Sequence, residues 1–378
     1  MRANRLSVLL YSEAFYPLYG GAEIFVMRLA NQLSRMGVAV GILTYQLRKN
    51  WPRFEQIGNL PVHRIPHPDI KFLGPAVGIL KTLGFIWRRR HEFELIHIHG
   101  VGFTAAAIAL ASQFTGHKVV VHLTGSETYR YIYKSRWRRV LVWKALHRVD
   151  CFVAISSEIK NFLLHNWIPE AKIAAIPYGL ELSENFHPGK MARGLGSAAK
   201  QKVAIFVGRL VIEKAPEDLL RAWQLVCQQR DDCELWILGD GVLKEKLIAL
   251  AHQFNLETRV KFFGQTQDVF RYLRQADLFV MSSISEGLSN ALLEAMSAGL
   301  PVVMTSVGGA VDVIRHEENG LLVPPRDFQS LATAMLRLFD NPALAEKLGK
   351  AAKATVREKY SIEIVAKQHV ELYTNLIA

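Results

Sequence analysis

Residues 283–313 read SISEGLSNALLEAMSAGLPVVMTSVGGAVDV, and this stretch decides the fold. An apolar, strand-like run at 278–281 comes just before it. Residues 290–298 have the pattern of a short helix, which Gly299 and Pro301 end before a second apolar run begins. Strand, helix and strand in this order predict a βαβ unit and therefore a parallel sheet.

The same alternation of strand and helix runs along most of the chain. Residues 6–11 and 38–43 are strand-like, and the segment between them, 23–36, has a helical pattern. Further buried strands of this first series are predicted at 95–99, 119–123, 151–155 and 173–176. A second series of strands is predicted at 203–207, 234–238, 260–263, 278–281 and 301–304. Two such series predict an α/β protein of two similar units with a cleft between them.

The boundary between the two series is a small, polar, glycine-containing segment. It reads HPGKMARGLGSAAKQ over residues 187–201, which is typical of a linker. We therefore expect an N-terminal domain over 1–186 and a C-terminal domain over 202–360, as the length of 378 residues also suggests. Residues 361–378 have the pattern of a terminal amphipathic helix.

The composition is that of a packed globular protein with unevenly placed charge. Half of the residues are hydrophobic, and the net charge is +12. Residues 1–190 hold 24 Lys and Arg against 12 Asp and Glu, whereas residues 191–378 hold 22 of each. A basic N-terminal half suits an anionic membrane surface, a phosphorylated acceptor or nucleic acid, and a merely soluble basic face is an equal alternative.

Cysteine usage and the N-terminal pattern favour the cytoplasm. Cys151, Cys227 and Cys233 have apolar neighbours and no metal-ligand spacing, so we expect reduced core thiols. Residues 1–10 contain a short apolar run without a cleavage site and are interpreted as the start of the first strand. The most apolar helix candidate, 103–111, is too short for the roughly 20 residues that a membrane span needs.

Two glutamates in the quoted stretch are candidate site residues. Glu286 lies in the predicted loop before the helix and Glu294 about one turn inside it, so both can face one pocket. The backbone N–H groups of Gly287, Leu288 and Ser289 lie at the helix N-terminus, where they can bind hydroxyls or phosphate oxygens. The alternative is an acidic, solvated helix start, which the helix dipole favours. The surrounding glycines and prolines argue against that alternative.

A second motif supplies cations, and a third supplies glycines. VGRLVIEK at 207–214 follows a predicted strand and contributes Arg209 and Lys214, a pair that suits a diphosphate, although either alone could be a surface cation. Gly20 and Gly21 follow the first strand and open a helix. Glycine lets backbone amides approach a phosphate closely, but a plain turn would use it too.

Together these residues resemble the glutamate-x7-glutamate signature of retaining GT-B glycosyltransferases, specifically glycosyltransferase family 4, also described as glycosyl transferases group 1. The resemblance covers nearly the whole chain and is strongest over residues 203–325. It implies an α/β fold with two Rossmann-like domains that face a central cleft, and a C-terminal helix that crosses back to the N-terminal domain. It also implies a retaining, metal-independent hexosyltransferase in which the leaving diphosphate accepts the acceptor's proton.

The resemblance implies a role for each motif. Glu294 would bind the ribose hydroxyls of a nucleotide-sugar donor, with Asn290 beside it in the donor site. Glu286 would lie next to the transferred sugar. Arg209 and Lys214 would hold the donor diphosphate in place of a metal ion. The glycine loop near the N-terminus would lie beside the donor phosphates.

Three positions depart from the family pattern. Ala215 follows the lysine of the cation motif where relatives usually have glycine, and Tyr178 stands where they commonly have asparagine. Thr124 stands where many relatives have a histidine before Gly-Ser-Asp. His122 lies two residues earlier on the same face of a strand, so either side chain is a candidate to approach the sugar. His122 is alternatively a satisfied core residue.

Two further histidines, His97 and His99, alternate on one predicted strand and mimic a metal-binding pair. Because no third ligand is nearby in the sequence, we interpret them as a strand end at the cleft. We expect no metal and no cofactor, the nucleotide-sugar being a co-substrate.

Basic, aromatic segments at 85–90 and 129–139, the second leading into 140–148, suit an anionic membrane interface. Their tryptophans are alternatively core anchors of helices with basic faces. We expect a nucleotide-sugar donor, with UDP first, and a saccharide or lipid-linked saccharide acceptor at the inner face of the cytoplasmic membrane. The N-terminal domain would bind that membrane peripherally, and no nucleic-acid motif accompanies the charge.

These expectations point to bacterial cell-envelope or extracellular polysaccharide synthesis, including lipopolysaccharide. One alternative is a nucleotide-sugar epimerase of related architecture, which would convert the donor without an acceptor. Another is a non-catalytic nucleotide-sugar-binding protein, which the joint presence of the cation pair and the glutamate pair disfavours. A nicotinamide dehydrogenase is disfavoured because no G-x-G-x-x-G turn follows the first strand.

Overall fold

The computed structural model describes residues 6–18, 20–66, 74–125, 135–182 and 201–378. The chain forms two compact units. The first consists of residues 1–181 together with 362–378, and the second of residues 182–361. Nearly all of the segment predicted as a linker, 187–201, lies outside the described residues.

The first unit is built on a mainly parallel sheet. Within the described residues its strands are β1 (Ser7–Ser12), β2 (Ala39–Gln46), β3 (Phe54–Ile57), β4 (Leu60–Pro66), β5 (Leu95–His99), β6 (Lys118–Leu123), β7 (Cys151–Ala154) and β8 (Ile173–Ala175). Their order is β3-β4-β2-β1-β5-β6-β7-β8. The β3–β4 pair is antiparallel, and the other neighbours are parallel. The strand order therefore changes direction at β1, between β2 and β5.

Helices cover this sheet. They are α1 (Gly21–Arg35), α2 (Gly74–Arg88), α3 (Phe103–Thr115), α4 (Arg136–Leu146), α5 (Ser157–His165) and, at the end of the chain, α13 (Ile362–Ile377). The terminal helix packs against α1. Its buried residues Val365, Ala366, His369 and Tyr373 recur at helical spacing, which fixes the face that meets the unit.

The second unit is a parallel sheet with helices between its strands. The strands are β9 (Lys202–Val207), β10 (Cys233–Leu238), β11 (Val260–Gly264), β12 (Leu278–Met281), β13 (Val302–Thr305) and β14 (Leu321–Val323). The helices are α6 (Pro216–Gln229), α7 (Lys244–Gln253), α8 (Val269–Leu273), α9 (Asn290–Ser297), α10 (Ala310–Val313), α11 (Phe328–Asp340) and α12 (Pro342–Lys359). The strand order is β11-β10-β9-β12-β13-β14.

Burial explains why these apolar runs become strands of parallel sheets. Strands β5, β7, β12 and β13 are buried along their whole length, as expected where helices cover both faces of a sheet. Each fully buried Val, Leu or Phe contributes about 1.5–3 kcal/mol relative to exposure. The prediction of two parallel α/β units is confirmed.

The sequence missed three strands. The β3–β4 hairpin was not predicted because β3 is largely exposed and lacks an apolar run. β14 has only three residues, which is too few to give a periodic signal. In the described part of the chain, no helix has both the length and the apolar character needed to cross a membrane.

Candidate active site

The second unit has its topological switch point at β9 and β12. These strands pair in parallel, with Ala204 opposite Leu278 and Ile205 opposite Phe279, although β10 and β11 lie between them in sequence. The loops that leave their carboxyl ends, 208–215 and 282–289, therefore lie side by side. In open α/β sheets this crevice is where ligands bind. All four charged residues of the predicted donor site belong to these two loops or to the helix that follows them.

Lys214 and Glu286 meet at this switch point. The ammonium Nζ of Lys214 forms an ion pair and a hydrogen bond with Oε2 of Glu286. Each side chain is 13% exposed, so water screens the pair only partly. The hydroxyl of Ser283 lies 3.5 Å from the same carboxylate oxygen. The structure thus brings together two residues that the sequence assigned to one site from motifs about 70 positions apart.

Backbone contacts hold the lysine loop in place. Lys214 ends a single 3₁₀ turn, and Ala215 after it has φ 43° and ψ 49°, in the left-handed region. The Ser282 hydroxyl lies 2.9 Å from the carbonyl oxygens of both Lys214 and Ala215. The N–H of Ile284 donates to the Glu213 carbonyl over 2.8 Å. A left-handed residue explains why relatives usually have glycine where this chain has Ala215.

The glutamate loop is held by a pair of glycines. The N–H of Gly309 donates to the carbonyl of Gly287 over 2.6 Å. Gly308 has φ +53°, and a Cβ there would lie 1.8 Å from the backbone oxygen of Glu286. Only glycine therefore lets the loop after β13 approach the loop that carries Glu286. Sequence analysis quoted these glycines without assigning them a role, and the signal it missed is a Gly-Gly pair between a strand and a helix.

Helix α9 positions the second glutamate. Ser289 caps the helix, its hydroxyl accepting from the N–H of Leu292 over 3.2 Å. Glu294 is the fifth helical residue and only 8% exposed, so it lies one turn inside as predicted. Gly287 and Leu288 are buried ahead of the cap, whereas Asn290 at the first helical position is partly exposed. The predicted N–H cluster thus lies at the start of α9.

Arg209 lies in the loop 208–215 and is exposed. The loop after β10 packs against it: the N–H of Leu210 donates to the Asp240 carbonyl over 2.9 Å. A Cβ at Gly239 would lie 1.9 Å from the Gly208 carbonyl oxygen, and one at Gly241 2.4 Å from that of Leu210. Sequence analysis missed this Gly-Asp-Gly clamp, although a Gly-x-Gly directly after a strand is a usable signal.

The glycines of the first unit lie at its own switch point. Gly20 precedes α1, and Gly21 is the first residue of that helix. They follow β1, which pairs with both β2 and β5. Gly20 and Gly21 are therefore placed at a crevice of the kind that binds ligands in open α/β sheets, at a helix N-terminus. Tyr19, within the same predicted motif, lies outside the described residues.

His122 is a fully buried residue of β6, paired in register with His99 of β5. Its ring packs against Phe25 and Tyr178, with centroids 5.3 Å and 5.7 Å away. Thr124 follows the same strand and is partly exposed, its carbonyl accepting from the Tyr178 hydroxyl over 3.3 Å. Of the two candidates near the transferred sugar, Thr124 therefore has the more accessible surface.

A third histidine corrects the sequence interpretation of His97 and His99. His122 joins them, and ring nitrogens of the three lie within 4.8 Å of one another. The rings of His97 and His99 are stacked on that of His122, with interplanar angles of 23° and 27°. Nitrogen lone pairs lie in the ring planes, so stacked rings do not aim them at one point, as a metal ion requires. We assign the cluster to the core of the first unit.

Burial keeps these histidines neutral. The terminal helix adds His369 and Tyr373, whose hydroxyl lies 2.6 Å from Nδ1 of His97. Desolvation lowers the pKa of His99 to about 3 and that of His369 to about 4. It also lowers the pKa values of His97 and His122 well below the usual range, and the neighbouring histidines add to the effect.

Two parallel α/β units, with cations and carboxylates at the switch point of the second, define a GT-B protein. A family model described as Glycosyl transferases group 1 matches residues 190–355, and one described as Glycosyltransferase Family 4 matches residues 19–184. The chain belongs to this family of glycosyltransferases.

Comparison with known proteins gives the same assignment. The chain is 28% identical over 380 residues, 95% of both chains, to an uncharacterized glycosyltransferase of Methanocaldococcus jannaschii. It is 31% identical over 204 residues to the lipopolysaccharide core biosynthesis glycosyltransferase LpsD of Rhizobium meliloti, covering 53% of this chain and 58% of LpsD. Among solved structures, sucrose-phosphate synthase from Thermosynechococcus elongatus has a TM-score of 0.85 and 25% identity, with coverage of 98% of this chain and 99% of that one.

Proposed function

We propose that this protein is a retaining, metal-independent glycosyltransferase that moves a sugar from a nucleotide-sugar donor to a saccharide or lipid-linked saccharide. UDP-sugars are the first candidates for the donor. The observation that carries the proposal is the Lys214–Glu286 pair at the switch point of the second unit. It joins a cation suited to a diphosphate and a carboxylate suited to sugar hydroxyls. An epimerase or a non-catalytic binding protein is the alternative that the family assignment disfavours.

The chemistry of the cation loop supports the use of a diphosphate leaving group. As the bond between the sugar and the diphosphate breaks, negative charge grows on the phosphate oxygens. Lys214 offers three N–H donors and Arg209 five, from one loop whose backbone is fixed. Donors that are already in place stabilise such a charge by several kcal/mol without reorganisation. Two cations on one fixed loop supply what a metal ion would otherwise supply, which supports metal independence.

Glu286 has two uses in this scheme. Before the donor binds, it neutralises Lys214 and holds the ammonium beside the glutamate loop. When the diphosphate takes over Lys214, the carboxylate becomes an acceptor for a hydroxyl of the transferred sugar. The proposed step forms a bond between the anomeric carbon and the acceptor oxygen on the face that the diphosphate leaves. The acceptor's proton passes to a diphosphate oxygen, and the configuration is retained.

One relative supports an acceptor in envelope polysaccharide synthesis. LpsD of Rhizobium meliloti is named for lipopolysaccharide core biosynthesis, and its resemblance covers part of each chain. We therefore propose a saccharide acceptor, free or lipid-linked, at the inner face of the bacterial cytoplasmic membrane.

A panel of nucleotide-sugars tests the donor site. Thermal unfolding is followed with EDTA present, because a bound donor raises stability as RT ln(1 + [L]/Kd). We expect one donor to shift the transition selectively, Glu294→Ala to lose the shift, and Glu358→Ala, an exposed glutamate on α12, to keep it. Transfer to a saccharide acceptor then gives a product whose anomeric configuration, read by NMR, matches that of the donor.

Three results would contradict the proposal. Inversion of configuration would exclude the retaining mechanism. Conversion of the donor without an acceptor would favour the epimerase. A stable protein that no donor shifts and that transfers no sugar would favour a non-catalytic role.

A further inference from the structure

Helix α3 turns an apolar face to solvent. Phe103, Leu110 and Phe114 share this face at helical spacing and are 42%, 44% and 80% exposed. The opposite face, which includes Ala105 and Ile108, is buried against the first unit. The helix contains no charged residue. A helix that is apolar all round is normally covered on every side, so the outer face of α3 calls for an apolar environment.

The neighbouring helices extend this face. Helix α3 packs against both α2 and α4. On α2, Leu80 and Trp87 are 67% and 50% exposed. On α4, Val140 and Leu141 are each 58% exposed. We call the exposed side chains of these three helices the apolar–basic surface. Adjacent large apolar side chains on a surface mark a site of interaction with a protein or a membrane.

The charged residues within α2 and α4 all have one sign. Lys81 and Arg88 of α2 and Lys144 of α4 are exposed. In the described part of the chain, no carboxylate lies within ion-pair distance of these three cations. Residues 74–91 and 135–149 contain no aspartate or glutamate at all. The apolar side chains are therefore bordered by cations that have no partner charge in their own helices.

We propose that the apolar–basic surface binds the first unit to an anionic phospholipid bilayer. Exposed aliphatic and aromatic side chains enter the boundary between headgroups and acyl chains, while Lys and Arg contact lipid phosphates. A second copy of the chain fits less well, because its identical surface would bring cations against cations. The proposal deepens the proposed function, since a lipid-linked acceptor would be met at this surface, but its test does not depend on turnover.

Vesicle sedimentation tests the proposal. The purified full chain is mixed with vesicles of phosphatidylcholine alone or of phosphatidylcholine with phosphatidylglycerol. We expect binding to the anionic vesicles only. Leu110→Ser/Phe114→Ser should weaken it at least tenfold. Lys81→Glu/Arg88→Glu should weaken it about fivefold or more for each charge, and added salt should reproduce that loss.

Two control variants match these changes elsewhere on the protein. Leu47→Ser removes an exposed apolar side chain next to β2, and Lys347→Glu/Arg357→Glu reverses two exposed charges on α12. Both should bind anionic vesicles as the wild type does, and far-UV circular dichroism of every variant should be unchanged. A variant that fails this check is replaced by Phe114→Ser alone, which changes the most exposed side chain of the surface.

Several outcomes would overturn the proposal. One is a wild type that stays in the supernatant with anionic vesicles, and another is equal binding to neutral vesicles. A third is surface variants that bind as tightly as the controls. A wild-type dimer in analytical ultracentrifugation that Leu110→Ser/Phe114→Ser converts to monomer, without loss of vesicle binding, would assign the surface to a second copy. Donor binding by these variants stays normal if the proposed function is right, so the two proposals can fail separately.

Discussion

At the scale of the residue, Lys214 and Glu286 are two ions that need polar partners, and a bound donor would provide new ones. Both side chains are mostly buried, so each ion has lost much of its hydration and depends on the other. A diphosphate can replace the carboxylate as the partner of Lys214 while sugar hydroxyls take the place of the ammonium beside Glu286. The pair therefore gives each ion a partner before a donor binds.

Removing one partner separates stability from activity. We predict that Lys214→Ala lowers kcat/KM at least about a hundredfold, about 2.7 kcal/mol of transition-state stabilisation. It should also lower the free energy of unfolding by about 1–3 kcal/mol, because Glu286 keeps its charge without its partner. Lys214→Ala/Glu286→Ala should recover that stability but not the activity. Kinetics with the identified donor and urea unfolding measure the two effects.

Lys246→Ala serves as the control for Lys214→Ala. Lys246 also pairs with a glutamate, Glu217, but its side chain is 63% exposed. Exposed pairs contribute about 1 kcal/mol or less, so this variant should keep both stability and kcat/KM. If Lys214→Ala behaved in the same way, the assignment of Lys214 to the site would be wrong.

At the scale of the element, the site depends on contacts between loops of different strands. The loop after β13 fixes the loop that carries Glu286, through Gly308 and Gly309. In the same way, the loop after β10 fixes the loop that carries Arg209. Each contact passes through a glycine where a Cβ would overlap a backbone oxygen. A misplacement of about 1 Å at a reacting group can cost a hundredfold in rate, so these glycines matter beyond stability.

Gly308→Ala and Gly264→Ala make a matched pair. Both glycines have positive φ, +53° and +71°, but only Gly308 has a backbone atom in the way of a Cβ. We predict that Gly264→Ala costs about 1 kcal/mol of stability from its backbone conformation alone. Gly308→Ala should cost more than about 2 kcal/mol and lower kcat/KM at least about tenfold, because Glu286 must move. Equal effects in unfolding and kinetics would show that the Glu286 contact is unimportant.

The sequence predicted elements better than it predicted the contacts between them. Strand β12 was placed at its true residues because a fully buried parallel strand is a continuous apolar run. The site motifs were found because their spacing resembles a family pattern. The approach of Gly308 to Glu286, and of His122 to His99, depends on which strands pair, and strand pairing leaves no signal in local periodicity.

At the scale of the whole molecule, the two units carry different electrostatic properties. The net positive charge of the chain comes from residues 1–190, while residues 191–378 are balanced. The balanced part contains the Lys214–Glu286 pair, whereas the basic part includes three helices without an acidic residue. Much of one basic aromatic segment, 129–139, lies outside the described residues or has side chains that are not described. The membrane proposal therefore stands on α2, α3 and the described part of α4.

The stability of the first unit as a whole should depend on pH through its histidine cluster. His97, His99, His122 and His369 are fully buried, and the titratable groups on the packed elements nearby are the phenols Tyr178 and Tyr373. Burial lowers the folded-state pKa of each histidine below the ordinary value of about 6.5. Below that pH the unfolded chain therefore binds more protons than the folded one, and stability falls.

We predict a loss of about 1 kcal/mol per buried histidine between about pH 6.5 and 5.5, steepening to about 1.4 kcal/mol per pH unit as the pH falls further. The measurement equilibrates the protein in urea at each pH and then labels β5 and β6 by a hydrogen-exchange pulse at one fixed pH. His99→Leu removes a group whose pKa is about 3. The slope of its unfolding free energy against pH should therefore be smaller than that of the wild type by the contribution of one proton. His165→Leu removes an exposed histidine and should keep the wild-type slope. Parallel slopes for all three proteins would mean that His99 is already protonated in the fold or leaves the core before unfolding, and the neutral cluster would have to be abandoned.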